Sequence, residues 1–138
     1  MKSKAERKNA MNMIMYATLG INNLAAARAF YDPTLATLGI ALIYEGAEEW
    51  AYGPKGGDVV QLYVTKPFDQ NPATIGNGSM LALNAPTRDA VDAFYKAGLA
   101  NGGTDEGAPG IRYSAHFYSC YLRDPDGNKL SAACDKPV

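Results

Sequence analysis

The sequence predicts an α+β fold made of two copies of one unit, in which a strand, a helix and three further strands follow each other (βαβββ). The main observation is an internal repeat, because the pattern A-F-Y-x-x-x-L-A-x-x-G occurs at residues 29–39 and again at 93–103. Leu19 and Leu83 keep the same offset of 64 residues. Units repeated in this way bury their apolar faces against each other, and a ligand often binds where the two copies meet.

Composition indicates one globular domain, since 47% of the 138 residues are hydrophobic. The formal charge is −1, but four of the first eight residues are basic, so the body of the chain is acidic. An acidic body without a basic stripe argues against nucleic acid as a partner. The first residues lack the apolar core of a signal peptide, and no run is long enough to span a membrane. We therefore expect a flexible tail over residues 1–12, a single domain over 13–138, and a cytoplasmic protein.

The first unit begins with a strand at 14–21, where branched and aromatic residues dominate. Asn22 and Asn23 supply a helix N-cap, and apolar residues at helical spacing continue as far as Leu38. Pro33 removes one backbone donor, which predicts a kink or a break, and Gly39 ends the helix. Three short strands are then expected near 40–45, 49–53 and 58–65.

The second unit follows a connection at 66–77 that is rich in Pro and Asn. A strand at 79–85 leads to a helix with Thr87 as N-cap, and Gly102-Gly103 ends this helix. The Gly- and Pro-rich segment 104–110 is expected to be a loop. Two strands near 117–123 and 128–134 flank the turn sequence Asp-Pro-Asp-Gly-Asn, which favours a tight hairpin.

Three segments, 18–20, 102–110 and 123–130, carry a resemblance to a known family. With the duplicated βαβββ pattern, they resemble the vicinal oxygen chelate superfamily, which contains glyoxalase I, extradiol dioxygenases and bleomycin-resistance proteins. The similarity extends from Met13 to Cys134 and is greatest to small bacterial proteins of the glyoxalase family. It implies that modules at about 13–65 and 78–135 each form half of an open barrel, with the ligand in the concavity.

Enzymes of that family hold a divalent metal ion, and the resemblance places their ligands at Tyr16, Met80 and Ser131, with a further one near Gln61 or Tyr63. Thioether, phenol and hydroxyl groups are poor donors for Zn²⁺ or Fe²⁺. The chain contains a single histidine, His116. No cofactor is therefore predicted, and a divalent metal ion stays the alternative.

Other candidate residues lie on strands that are expected to line the cavity. Alternation places Gln61 and Tyr63 on one strand face and the valines and Leu62 on the other. Arg112 is suited to a carboxylate or phosphate, and His116 to acid–base chemistry, although a structural role for a lone histidine fits equally. Cys120 and Cys134 are expected to be buried thiols, although a cross-strand disulfide is conceivable. The aromatic candidates are Tyr16, Trp50, Tyr52, Tyr63, Tyr118 and Tyr121.

Three functions are compatible with these residues. The first is binding of a small organic molecule in the cavity without a metal. The second is a lyase, isomerase or dioxygenase of the same superfamily that uses a divalent ion or His116 with tyrosines. The third is a structural or regulatory dimer with a vestigial pocket. In each case a homodimer is expected, because open sheets leave strand edges and apolar faces uncovered in a chain of this size.

Overall fold

The computed structural model describes residues 13–137 of the chain. The tail expected at residues 1–12 lies outside the described residues. Ten elements follow one another as two βαβββ units. They are β1 (Ala17–Gly20), α1 (Leu24–Ala36), β2 (Ile40–Glu45), β3 (Glu49–Pro54), β4 (Leu62–Thr65), β5 (Leu81–Asn84), α2 (Arg88–Ala100), β6 (Thr104–Ile111), β7 (Phe117–Arg123) and β8 (Lys129–Asp135).

Each unit forms its own four-stranded sheet, and this confirms the predicted α+β architecture. The first sheet has the order β1-β4-β3-β2 and the second the order β5-β8-β7-β6. In both, the first strand pairs parallel to the last, and the other neighbours are antiparallel. Neither sheet closes into a barrel, so each has two edge strands. Neither helix in residues 13–137 is long and apolar enough to cross a membrane.

The sequence offset of 64 is reproduced in the structure through the first half of each unit. β1 and β5 begin and end 64 residues apart, and so do α1 and α2. Both predicted N-caps are present: the Asn23 side chain accepts a hydrogen bond from the amide of Ala26, and the Thr87 hydroxyl from that of Ala90. The helix α1 continues through Pro33 without a break.

The segment 104–110 is a strand, so the prediction of a loop there was wrong. It forms most of β6, whose pairing with β7 shifts register on both sides of Gly107. Bulges of this kind accommodate residues that do not suit a regular ladder. β1 and β4 are shorter than expected, since they begin at Ala17 and Leu62, whereas β2 and β7 have the predicted bounds.

The two units share one hydrophobic core beneath their helices. Phe30 of α1 and its repeat equivalent Phe94 of α2 are both fully buried. Gly98 faces the Phe30 ring, and a Cβ placed there would lie 3.5 Å from the ring and 2.5 Å from Leu122. Because no side chain separates the helices at this point, they pack closely.

The predicted hairpin at 124–128 also joins the two units. Asp124 is buried and accepts hydrogen bonds from the amides of Asp126 and Asn128. Its other oxygen accepts one from the hydroxyl of Tyr31 in α1, at 2.5 Å. The side chain of Asn128 donates to the carbonyl of Gly20 at the end of β1. The turn therefore fixes β1 and α1 to the second unit.

Candidate functional site

Each sheet has one face against the helices and one open face, and the strand register assigns residues to them. On the open face of the first sheet, Thr18 pairs with Tyr63. On the second, Ala82 pairs with Ser131. Since Thr18 and Ala82 are repeat equivalents, Tyr63 and Ser131 occupy equivalent places. Of the two alternatives that the family resemblance left open, Gln61 and Tyr63, the register favours Tyr63 as the repeat equivalent of Ser131.

The four positions that the family resemblance assigns to metal ligands are then Tyr16, Tyr63, Met80 and Ser131. Tyr16 and Tyr63 contact each other edge to face, with ring centroids 5.1 Å apart. Tyr16 is 51% exposed and Met80 48%, whereas Ser131 is only 1% exposed. Tyr16 and Tyr63 thus form an accessible aromatic surface on the first unit. The second unit has an exposed thioether at Met80 and a buried hydroxyl at Ser131.

This donor set does not fit a divalent transition metal. Such ions take imidazole, thiolate or carboxylate ligands, and a phenol gives up its proton only at a pKa near ~10. Within residues 13–137, no three side chains of His, Cys, Asp or Glu come together in a metal-binding arrangement. These positions therefore supply no strong ligand for Zn²⁺ or Fe²⁺.

A small cavity lies between the facing edges of the two sheets. Its volume is about 180 Å³, and it is bordered by Ala17 and Leu19 of β1, by Met80 and Leu81, and by Lys129 of β8. A second cavity of about 390 Å³ shares Leu81 and extends past Gln61. Met80 borders the first cavity, and Met15, next to Tyr16 in sequence, borders the second, whereas neither Tyr16 nor Tyr63 lines either of them.

The densest polar cluster on the open face of the second sheet is centred on Tyr121. The guanidinium carbon of Arg112 lies 5.0 Å from the centre of this ring, and the Lys129 ammonium 5.7 Å from it. The hydroxyl of buried Ser119 donates to the Tyr121 hydroxyl at 3.2 Å. The hydrogen bond from Ser119, with the Tyr113 hydroxyl and the two cations nearby, lowers the pKa of Tyr121.

Arg112 and His116 differ in how they relate to this cluster. The Arg112 guanidinium donates to the backbone carbonyls of Ala108, Gly110 and Ser119, so its geometry is fixed by the chain itself. His116 lies in the turn before β7 and is exposed, and its own carbonyl accepts from the amide of Lys136. The structure does not bring the His116 imidazole into the Tyr121 cluster.

Three of the expected cavity-lining aromatics lie on the helix-facing side of their sheets instead. The Tyr52 hydroxyl donates to Asp32 of α1 at 2.7 Å, and the Trp50 indole lies against the start of the same helix. The Tyr118 hydroxyl donates to Asp92 of α2. Their placement on the open faces was wrong, because the residues at alternate positions, Ala51 and Tyr121, take those faces.

The cysteines are part of the core. Cys120 and Cys134 are both buried and free. Burial raises the pKa of the Cys120 thiol to about 11, so it is protonated at neutral pH. A thiol in this state is a poor nucleophile.

The central residues of the site were only partly visible in the sequence. Tyr121 was one of several tyrosines on strands, and Lys129 was not a candidate at all. The signal that identifies them is the register of β7 and β8, which places residue 121 beside 131 and residue 123 beside 129. That register depends on the turn at 124–128, which the sequence does predict.

Comparison with known proteins agrees with this architecture. The family model of the Glyoxalase/Bleomycin resistance protein/Dioxygenase superfamily matches residues 13–131. The chain is 41% identical to a glyoxalase/bleomycin resistance protein from Albidiferax ferrireducens, over 88% of this chain and 98% of that one, with a TM-score of 0.79.

More distant structures share the fold alone. A glyoxalase-related enzyme from Fulvimarina pelagi is 24% identical, over 89% of this chain and 88% of that one, with a TM-score of 0.67. An antibiotic-binding protein, TnmS3, from Streptomyces is 21% identical, over 94% and 98%, with a TM-score of 0.57. None of the curated proteins matches the chain. With its duplicated βαβββ units and the family match over most of its length, the chain belongs to the Glyoxalase/Bleomycin resistance protein/Dioxygenase superfamily.

Proposed function

We propose that this protein binds a small organic molecule against its open sheet faces without a metal ion. The observation that carries the proposal is the set of side chains at the four family metal positions. Tyr16 and Met80 are about half exposed and present aromatic and thioether surface there, Tyr16 packs edge to face on Tyr63, and Ser131 is buried. Small-molecule sites are mostly apolar with a few placed polar groups, and this surface has that character.

The space available supports a ligand of modest size. The two cavities, which share Leu81, have volumes of about 180 and 390 Å³. Ligand pockets commonly measure ~300–1,000 Å³, so the larger cavity lies within this range and the smaller one below it. One member of the fold, TnmS3, is named an antibiotic-binding protein. At 21% identity this likeness concerns the fold, and the identity of our ligand does not follow from it.

We further propose that the protein is a cytoplasmic homodimer whose partner chain shapes part of the ligand site on the open faces. Large apolar side chains on these faces are about half exposed, among them Tyr16, Tyr44 and Met80. A twofold interface is the commonest way in which chains cover such surface. Light scattering over the micromolar range is expected to report twice 14.7 kDa. A monomer mass throughout that range would contradict the proposal.

Ligand binding is tested on protein purified without a chelator. Native mass spectrometry is expected to detect a carried compound, and a panel of small aromatic compounds is expected to raise the melting temperature. The variant Tyr63→Ala should lose the shift, whereas Phe68→Ala, which removes a fully exposed aromatic ring from the connection between the units, should keep it. Equal shifts in both variants, or none in the unmodified protein, would count against binding at this surface.

The alternative, a metal-dependent lyase, isomerase or dioxygenase, is tested by elemental analysis of the same preparation. About one transition metal per chain would favour it. Conversely, the triple variant Tyr16→His, Met80→His, Ser131→Glu restores the donors that the family uses and is expected to gain Zn²⁺ or Ni²⁺ affinity. A folded triple variant that binds no metal would show that these positions do not converge.

A further inference from the structure

Uncompensated positive charge distinguishes the open face of the second sheet. Arg112 and Lys129 both lie over the Tyr121 ring, and neither pairs with a carboxylate of residues 13–137. The neighbouring cation, Arg123, is instead neutralised by Glu106 at 2.5 Å. Half-buried cations without a counter-ion attract an anion, since screening by water is reduced there.

The Tyr121 hydroxyl is oriented to complete an anion site. Because Ser119 donates to its oxygen, the Tyr121 proton is free to be donated outward. The same surroundings make this phenol more acidic than usual, and a more acidic donor forms the stronger hydrogen bond to an anion. The carbonyls that accept hydrogen bonds from Arg112 fix this cation beside the ring.

A strained backbone conformation beside the cluster also indicates a ligand site. Tyr113 adopts a positive φ of 64°, which is uncommon for a large side chain. Its ring packs edge to face on Phe117 at 5.4 Å, and its hydroxyl neighbours that of Tyr121. Residues held in such conformations are concentrated at ligand sites, where the fold tolerates their cost. Tyr113 is 89% exposed, so it borders the cluster on the solvent side.

The apolar part of a ligand is accommodated next to this cluster. Lys129 also borders the 180 Å³ cavity, whose other walls include Ala17, Leu19 and Met80. An acidic group held at Lys129 thus places the attached carbon skeleton between the two sheet edges.

From this arrangement we propose that Lys129 and Tyr121 bind the acidic group of the ligand, and that the ligand is a small organic acid with an apolar body. This inference rests on the proposed function and specifies its ligand class. Recognition is by charge at Lys129, by hydrogen bonding at the Tyr121 hydroxyl, and by apolar contact in the cavity.

The test uses a matched pair of probes, 2-naphthoate and its neutral isostere 2-naphthamide, with binding measured by equilibrium dialysis. The full-length protein is expected to bind the carboxylate about tenfold more tightly than the amide. Lys129→Met, which keeps the aliphatic stem, should remove most of that preference, and Tyr121→Phe should reduce it several-fold. Lys96→Met is the control, because it makes the same change of charge on the exposed side of α2.

The possible outcomes distinguish failure of the anion site from failure of the proposed function. Equal binding of carboxylate and amide, or equal effects of the Lys129 and Lys96 variants, would overturn the anion site and leave small-molecule binding in place. Failure of both probes to bind would overturn the proposed function together with the inference. Circular dichroism melts of each variant establish that the measurement is made on folded protein.

Discussion

Tyr31 and Tyr95 are repeat equivalents with different surroundings, and they offer a test of what joins the two units. Both come from the repeated A-F-Y pattern, and each hydroxyl donates to an aspartate. The Tyr31 bond is fully buried and connects α1 of the first unit to Asp124 of the second. The Tyr95 bond to Asp105 is 2.9 Å long and exposed, and it stays within the second unit.

The variant Tyr31→Phe should therefore destabilise the protein far more than Tyr95→Phe. A buried hydrogen bond to a charged group contributes about 1.5–3 kcal/mol, and its loss leaves an oxygen of Asp124, which is 2% exposed, without that donor. For a domain of this size, a loss of about 2 kcal/mol lowers the melting temperature by about 6–8 °C. Water replaces the exposed bond at Tyr95 when it is lost, so Tyr95→Phe should change the melting temperature much less.

Both variants keep the ring and delete one oxygen, so the change in side-chain volume is the same in each. Urea unfolding monitored by circular dichroism measures the free energy of unfolding directly, and the slope of the transition checks that the unfolded state is unchanged. Equal losses in the two variants, or a loss below about 0.5 kcal/mol for Tyr31→Phe, would refute the role of this bond in joining the units.

Three further predictions concern stability and reactivity. Folding raises the pKa of Tyr31 well above its ordinary value, because the ring is buried and lies beside Asp124. Since the folded state holds this proton more tightly than the unfolded state, the contribution to the free energy of unfolding should be complete below about pH 10 and fall at higher pH. The fall should be less steep in Tyr31→Phe. At pH 8 the Cys120 thiol, whose pKa is raised to about 11, should react with a disulfide reagent only upon unfolding, and rapid labelling of native protein would contradict its burial. Gly53→Ala should destabilise the protein by about 3 kcal/mol or more or prevent folding, as judged by thermal melting, because its Cβ would lie 1.9 Å from the Val59 carbonyl oxygen.

The sequence was informative where local chemistry decides the structure. Interactions over a few residues determine the N-caps, the glycines that end the helices and the turn at 124–128. Because the repeat offset is 64 residues, an element identified in one unit predicts its equivalent in the other. That offset still holds at the start of β6 and is lost within this strand, because β6 contains bulges that β2 does not match residue for residue. The Gly and Pro content of segment 104–110 indicated a loop, yet pairing with β7 holds it as a strand.

The candidate site was harder to predict, because its residues come together only through strand pairing. Which face a residue takes depends on register, and a shift of one position reverses it. Trp50, Tyr52 and Tyr118 were assigned to the cavity as aromatic strand residues, whereas hydrogen bonds to the helices place them on the other face. Tyr121, Arg112 and Lys129 are far apart in sequence, so only the fold reveals the cluster.

The bulges in β6, a strand that the sequence did not predict, have a consequence for solubility. Two of the four edge strands, β2 and β6, lie at the outer ends of their sheets, and both have irregular register. β6 also carries Pro109, which offers no amide to an incoming strand. Irregular edges of this kind resist strand-to-strand aggregation between molecules. The outer edges are thereby protected against polymerisation, while the inner edges, β1 and β5, border the cavity and need no such defence.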